Sequence, residues 1–147
     1  MNKTKLAVLF FIIGIVALAC SSGTRLQDYE PKSEQEKEIK SLLVEYAAAR
    51  NNYDVQKMAS YLSEDARIGF LDGRTFSKSE FASTFKARDF EAWGKYDFFN
   101  PEIKINDNFA EVKMRFNESL LNTGVFRFKM NRQNGRWIIT EYNVNRS

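Results

Sequence analysis

Three side chains stand out as candidates for chemistry: Cys20, Tyr46 and Glu141. Cys20 is the chain's only cysteine, so it forms no internal disulfide and joins no cysteine metal cluster. Glu141 follows Trp137 and Ile139 at alternating positions near the end of the chain. If those two point inward on a strand, strict alternation carries Glu141 to the same face, where a desolvated carboxylate would be a general base of raised pKa. The plainer readings are a solvated strand-end glutamate or one paired with an arginine, and a bulge would reverse its face. Tyr46 offers a phenol that could donate to a ligand carbonyl or equally bond a backbone group. Asp54, Asp65 and Asp72 are explained more simply as helix caps and turn residues. The chain has no histidine, which removes histidine triads, histidine metal sites and histidine proton shuttles within it. No metal and no cofactor are expected.

The 147 residues do not all belong to one folded unit. Asn2-Lys3-Thr4-Lys5 is a short basic segment, and Leu6–Ala19 is an apolar run of fourteen interrupted only by Gly14. That is too short to span a bilayer comfortably and fits the apolar region of an export signal. The run ends Val16-Ala17-Leu18-Ala19-Cys20, which resembles the bacterial lipoprotein signal, with Ala17 where leucine is commonest. The resemblance implies cleavage before Cys20, a diacylglyceryl group on its thiol, and a lipid bilayer as partner. It places the protein in the cell envelope, on the outer membrane of a diderm host because no Asp follows Cys20. The alternatives are an ordinary signal peptide cut near Ala19 and an uncleaved anchor.

Removal of residues 1–19 takes away Lys3 and Lys5 and leaves 20 basic against 19 acidic residues in a chain of 128. A net charge of about +1 makes no case for nucleic acid. Residues 20–32 then read as the lipidated cysteine and a flexible polar tether, and 33–147 as a single domain.

Within the domain, Ser33-Glu34-Gln35-Glu36 is a capping box opening a helix over about 34–51, with Ile39, Leu42, Leu43 and Tyr46 at helical spacing. Asp54 caps a shorter helix with Val55, Met58, Ala59 and Leu62 as its stripe. Arg67–Phe70 and Arg74–Phe76 pair across an Asp72-Gly73 turn. Ser77 and Glu80 open a third helix that presents Phe81 and Phe85, and Phe90–Gly94 forms an aromatic loop. Four strands complete the domain: Tyr96–Ile105, with Pro101 marking a bulge or an edge; Phe109–Asn117; Val125–Asn131; and Arg136–Val144. This order predicts an α+β class: three N-terminal helices packed on a strongly curved antiparallel sheet.

The element order, the tyrosine-bearing first helix, the Asp-capped second helix and the Gly135-Arg136-Trp137-Ile138 ending together resemble the nuclear transport factor 2-like superfamily, in its SnoaL-like and ketosteroid-isomerase branch. The resemblance covers residues 34–144 and implies a cone with an open mouth. Isomerase chemistry needs a carboxylate base and an oxyanion hole made of a tyrosine and a protonated aspartate. Aligning the first two helices puts Tyr46 at the oxyanion-hole tyrosine, but Phe70 at the base and Phe126 (or Arg127) at the aspartate. The fold's dehydratases use histidine. The superfamily's known activities therefore do not carry over, and fold alone is no argument for catalysis.

The expected inward side chains include Tyr46, Phe70, Met114, Phe126, Phe128, Trp137 and Glu141, forming either a packed core or an aromatic pocket for a small apolar ligand. Lys113, Arg115, Arg127 and Lys129 are expected on the sheet's outer face, as a solvated surface, a homodimer interface or a dock for anionic polymers or headgroups. Three functions follow: a non-catalytic envelope lipoprotein whose cup binds a ligand or serves as an interaction module; a SnoaL-like enzyme using Glu141 and Tyr46 for proton transfer or hydration chemistry; or an assembly protein using the outer face.

Overall fold

The computed structural model describes residues 23–119 and 122–146. The expected signal segment and Cys20 lie outside the described residues. No helix among the described residues is long and apolar enough to cross a membrane.

Helix α1 (Glu34–Asn51) starts where Ser33 Oγ accepts the Glu36 N–H at 3.1 Å. The reciprocal half of that capping box is absent, because the Glu36 carboxylate instead accepts Lys32 N–H and Tyr29 O–H, each at 2.8 Å. Ile39, Leu43, Tyr46, Ala47 and Arg50 make its buried stripe, spaced three and four apart on one face. Helix α2 (Val55–Ser60) is capped by Asp54, whose Oδ1 accepts Lys57 N–H at 2.9 Å. Leu62 is the first residue of β1 rather than part of the α2 stripe.

Strands β1 (Leu62–Gly69) and β2 (Thr75–Ser77) form a hairpin closed by the Asp72-Gly73 turn. Helix α3 (Lys78–Thr84) opens with the complete Ser77/Glu80 capping box. The expected aromatic loop contains a fourth helix, α4 (Ala87–Ala92), whose first turn is tied by the Asp89 carboxylate accepting Lys86 N–H. The described residues therefore hold four helices, two of them after the first hairpin, and not three at the N-terminus. Six residues with a single apolar anchor, Phe90, are too short to show a helical period.

Strands β3 (Asp97–Asn106), β4 (Phe109–Ser119), β5 (Asn122–Gln133) and β6 (Arg136–Arg146) form a meander. The sheet order is β2-β1-β6-β5-β4-β3. All pairings are antiparallel except β1 with β6, so the sheet is mixed rather than purely antiparallel. The last strand returns beside the first in the same direction, a long-range pairing that local alternation cannot reveal. Pro101 satisfies both readings of it: β3 is an edge strand, and its register shifts between Phe99 and Glu102, with Asn100 at φ 52°.

The described part of the expected tether is docked, not free. Leu26 is fully buried, its N–H donates to Phe98 O at 2.9 Å, and Asn100 N–H donates to Thr24 O at 2.7 Å. The edge strand β3 offers unpaired backbone groups, and this segment satisfies some of them. One leucine among polar neighbours carries no period, so the sequence does not announce the docking.

Candidate ligand cavity at the mouth of the cone

Helix α1 runs along the inner face of the sheet from the β5–β6 turn, where Arg132 bonds Glu38 at 3.1 Å, to the opposite end. There its C-terminal half, the β1–β2 turn, α4 and the ends of β4, β5 and β6 surround a cavity of about 220 Å³. A void of ~150 Å³ already accommodates a benzene ring, so this one holds a ring with substituents.

The walls are aromatic. Phe70 stacks on Phe85 with centroids 4.6 Å apart and meets Trp93 at 5.8 Å; Tyr142 meets Phe126 at 6.0 Å and Tyr46 at 6.0 Å. Two polar groups interrupt them. The Tyr46 hydroxyl is buried without a hydrogen bond of ordinary geometry, although the Tyr142 hydroxyl is near enough to influence its titration. Arg50, one turn further along α1, is 2% exposed. Its guanidinium lies 3.9 Å from the Tyr96 ring centroid and 5.1 Å from that of Phe90, Nη1 donates to Gly94 O at 2.9 Å, and Nη2 makes no hydrogen bond of ordinary geometry among the described residues. Burial pushes the Tyr46 phenol upward. Burial, with the neighbouring Tyr46 hydroxyl, pushes Tyr142 well above the usual range. Both remain neutral donors at physiological pH.

Carboxylates are marginal to this cavity. Asp72 and Glu118 line it. Asp72 is a turn residue: its Oδ1 accepts Arg74 N–H at 3.0 Å and its Oδ2 accepts Arg74 Nε–H at 2.6 Å, contacts that hold the carboxyl below its usual range. A carboxylate so stabilised is a weak base. No group of three or more metal-ligating side chains occurs among the described residues.

The structure distributes the expected site residues over three places. Tyr46, Phe70 and Phe126 line the cavity. Met114 and Phe128 are core, each 1% exposed, with Phe128 stacked on Phe126 at 5.6 Å. Trp137 lies at the other end of the cone, in a groove between α1 and the Gln133–Arg136 turn. Glu141 is on the outer face, and its expected inward placement is corrected: the carboxylate meets Lys129 Nζ at 3.2 Å and accepts Asn143 Nδ2–H at 2.9 Å. The cause is a bulge. Lys129 pairs with Glu141 but Met130 pairs with Ile139, so Thr140 is an extra residue and alternation reverses there. Tyr142 takes the inward position instead.

Arg50 and Tyr142 were not among the expected site residues. Arg50 carried a signal, its i+4 spacing from Tyr46 on the buried stripe, but a helix-terminal arginine ordinarily reads as solvated. Tyr142 depended on the bulge and carried none. On the outer face, Lys113 pairs with Glu102 at 3.3 Å, and Lys113 stands opposite Arg127 across β4 and β5.

No protein-family model and no curated protein matches the sequence. Solved structures do match. An NTF2-like protein of unknown function from Shewanella oneidensis MR-1 is 24% identical, with a TM-score of 0.64 over 76% of this chain and 98% of that one. An NTF2-like protein from Cytophaga hutchinsonii is 16% identical, with a TM-score of 0.63 over 78% and 100%. A provisionally named scytalone dehydratase from Novosphingobium aromaticivorans is 12% identical, with a TM-score of 0.64 over 77% and 84%. At such identities the likeness speaks for architecture alone, and with the helices, six-stranded sheet and mouth cavity it identifies this domain as having the NTF2-like fold.

Proposed function

We propose that this protein is a membrane-anchored envelope lipoprotein whose cup binds a small, largely apolar ligand without transforming it. The observation that carries the binding role is the aromatic cavity, with the Tyr46 hydroxyl and Arg50 Nη2 making no hydrogen bond of ordinary geometry on its wall. Buried polar groups are normally satisfied, and a ligand would satisfy these. The non-transforming role is supported by the site's shortage of proton-transfer groups: the chain has no histidine, Asp72 is committed to Arg74, and Glu141 faces away, which leaves Glu118 as the carboxylate on the wall outside such a pair. Proton transfer shared by Tyr46 and Glu141 has no geometric support, because the two lie on opposite faces of the sheet. The anchoring role rests on the single cysteine at the end of Val16-Ala17-Leu18-Ala19-Cys20.

Native mass spectra of the purified chain, before and after denaturation, test the binding role. A small molecule that leaves only on denaturation is expected; a bare cavity that takes up no ring compound on titration would remove it. Cys20→Ala tests the anchor: it should move the protein out of the detergent phase or leave it unprocessed, and unchanged partitioning and size would refute lipidation. Assembly through the outer face is the second reading, favoured by the mixed charges of Lys113, Arg115, Arg127 and Lys129 with Glu102 and Glu141. A salt-sensitive dimer in solution would support it.

A further inference from the structure

We infer that the ligand of the cup is a compact single-ring carboxylate, its acid group held by Arg50 and its ring held among Phe70, Trp93 and Phe126. The inference rests on the binding role proposed above and goes further by naming the charge and size of what binds.

Charge comes from Arg50. Guanidinium does not deprotonate in proteins, so this side chain stays cationic although it is 2% exposed. Holding a cation away from water is costly unless it is compensated. The compensation in the fold is partial: two aromatic faces, one carbonyl oxygen and the neighbouring Tyr96 hydroxyl, with Nη2 making no hydrogen bond of ordinary geometry. None of the ion pairs among the described residues involves Arg50. The cavity as a whole favours an anion: Arg74 and Asp72 neutralise each other, which leaves Arg50 and Arg146 on the wall against Glu118. A carboxylate offers several acceptor sites, enough for Nη2 together with the Tyr46 hydroxyl.

Size and shape come from the walls. About 220 Å³ holds one ring, a carboxylate and a short connection. Flat rings in edge and offset contacts favour a flat guest.

The competing account is structural: Arg50 would clamp α1 to Gly94 and stack on Tyr96, and the cavity would be indifferent to ligand charge. The experiment separates the two without relying on any one variant. The full chain in nanodiscs is titrated with benzoate and phenylacetate, with the neutral isosteres benzamide and phenylacetamide, and with toluene. Protein-free nanodiscs serve as the blank. Trp93 fluorescence and calorimetry report binding, while Trp137 lies at the far end of the cone. The acids should bind roughly ten- to hundredfold more tightly than their amides, the range of a hydrogen bond to a charged group. Arg50→Gln should abolish that preference while toluene still binds, and Arg50→Lys should keep part of it. Glu118→Gln should strengthen acid binding, by removing like charge from the wall. Equal binding of acids and amides by the unaltered chain would overturn the inference and leave the cup reading intact. Failure of every ring compound, toluene included, would overturn both. If Arg50→Gln does not fold, the acid-to-amide ratio of the unaltered chain still decides.

Discussion

At the β5–β6 turn end of the cone, Ile39, Leu43, Ala110, Met130 and Ile139 are sealed completely from solvent. At the mouth, Tyr46, Phe70, Phe126 and Tyr142 surround open space. Both ends use the same α1 stripe and the same inward alternation of β4, β5 and β6. What differs is side-chain shape. Branched aliphatics and methionine adapt to irregular gaps and fill them. Flat rigid rings that meet edge-on and tilted hold one another apart, and the polar tips of Tyr46 and Arg50 bring groups that apolar packing cannot satisfy. One end of the core is therefore packed solid, and the other leaves a cavity.

Paired truncations test that contrast. Phe128→Ala, in the sealed core, should cost about 3–5 kcal/mol in urea denaturation. Phe70→Ala, partly buried at the mouth, should cost less, since less area is withdrawn from water. Equal losses would mean that the mouth is as tightly packed as the far end.

Alkali should strike the mouth first. Tyr46 and Tyr142 titrate higher in the fold than the ordinary value near 10. The folded state thus holds protons that the unfolded state releases. Their contribution is complete below about pH 10 and is lost as pH rises above it. Phenolate absorbance should show these two tyrosines ionising together with unfolding, after the exposed ones; a single smooth titration in a still-folded protein would contradict their burial.

Smaller effects follow. Asp54→Ala removes the cap of α2, which brings Met58 to the cavity wall, and should cost roughly 1 kcal/mol in the same unfolding assay. Tyr46→Phe deletes a hydroxyl that neighbours the Tyr142 hydroxyl without a hydrogen bond of ordinary geometry, so stability should change by less than about 0.5 kcal/mol or rise, while ligand affinity falls. A large loss of stability would reveal a partner for that hydroxyl. Glu141→Gln breaks an outer-face pair and should cost under about 1 kcal/mol, with ring binding unchanged. Altered binding would place Glu141 back at the site.

Local rules made much of the fold legible. Ser33, Asp54 and Ser77 mark three helix starts, and each acts as an N-cap. The alternation of Ala110, Val112, Met114 and Phe116 marks β4, and all four are buried. These features depend on neighbours a few residues away, which the linear order displays. The cavity was legible only in part. Tyr46, Phe70 and Phe126 follow from periodicity, whereas α4 was hidden by its shortness and the docking of Leu26 by its isolation.

Residue types and local spacing settle the α+β class, the caps at Ser33, Asp54 and Ser77, the inward alternation of β4 and β5, and the want of histidine chemistry. The tertiary structure decided which face Glu141 and Tyr142 occupy, because one extra residue in β6 reverses the alternation and only pairing with β5 reveals it. It also decided that β1 runs parallel to β6 and that Arg50 is enclosed between Tyr96 and Phe90. Each of these depends on contacts between residues far apart in the chain, where the order of residues carries no distance.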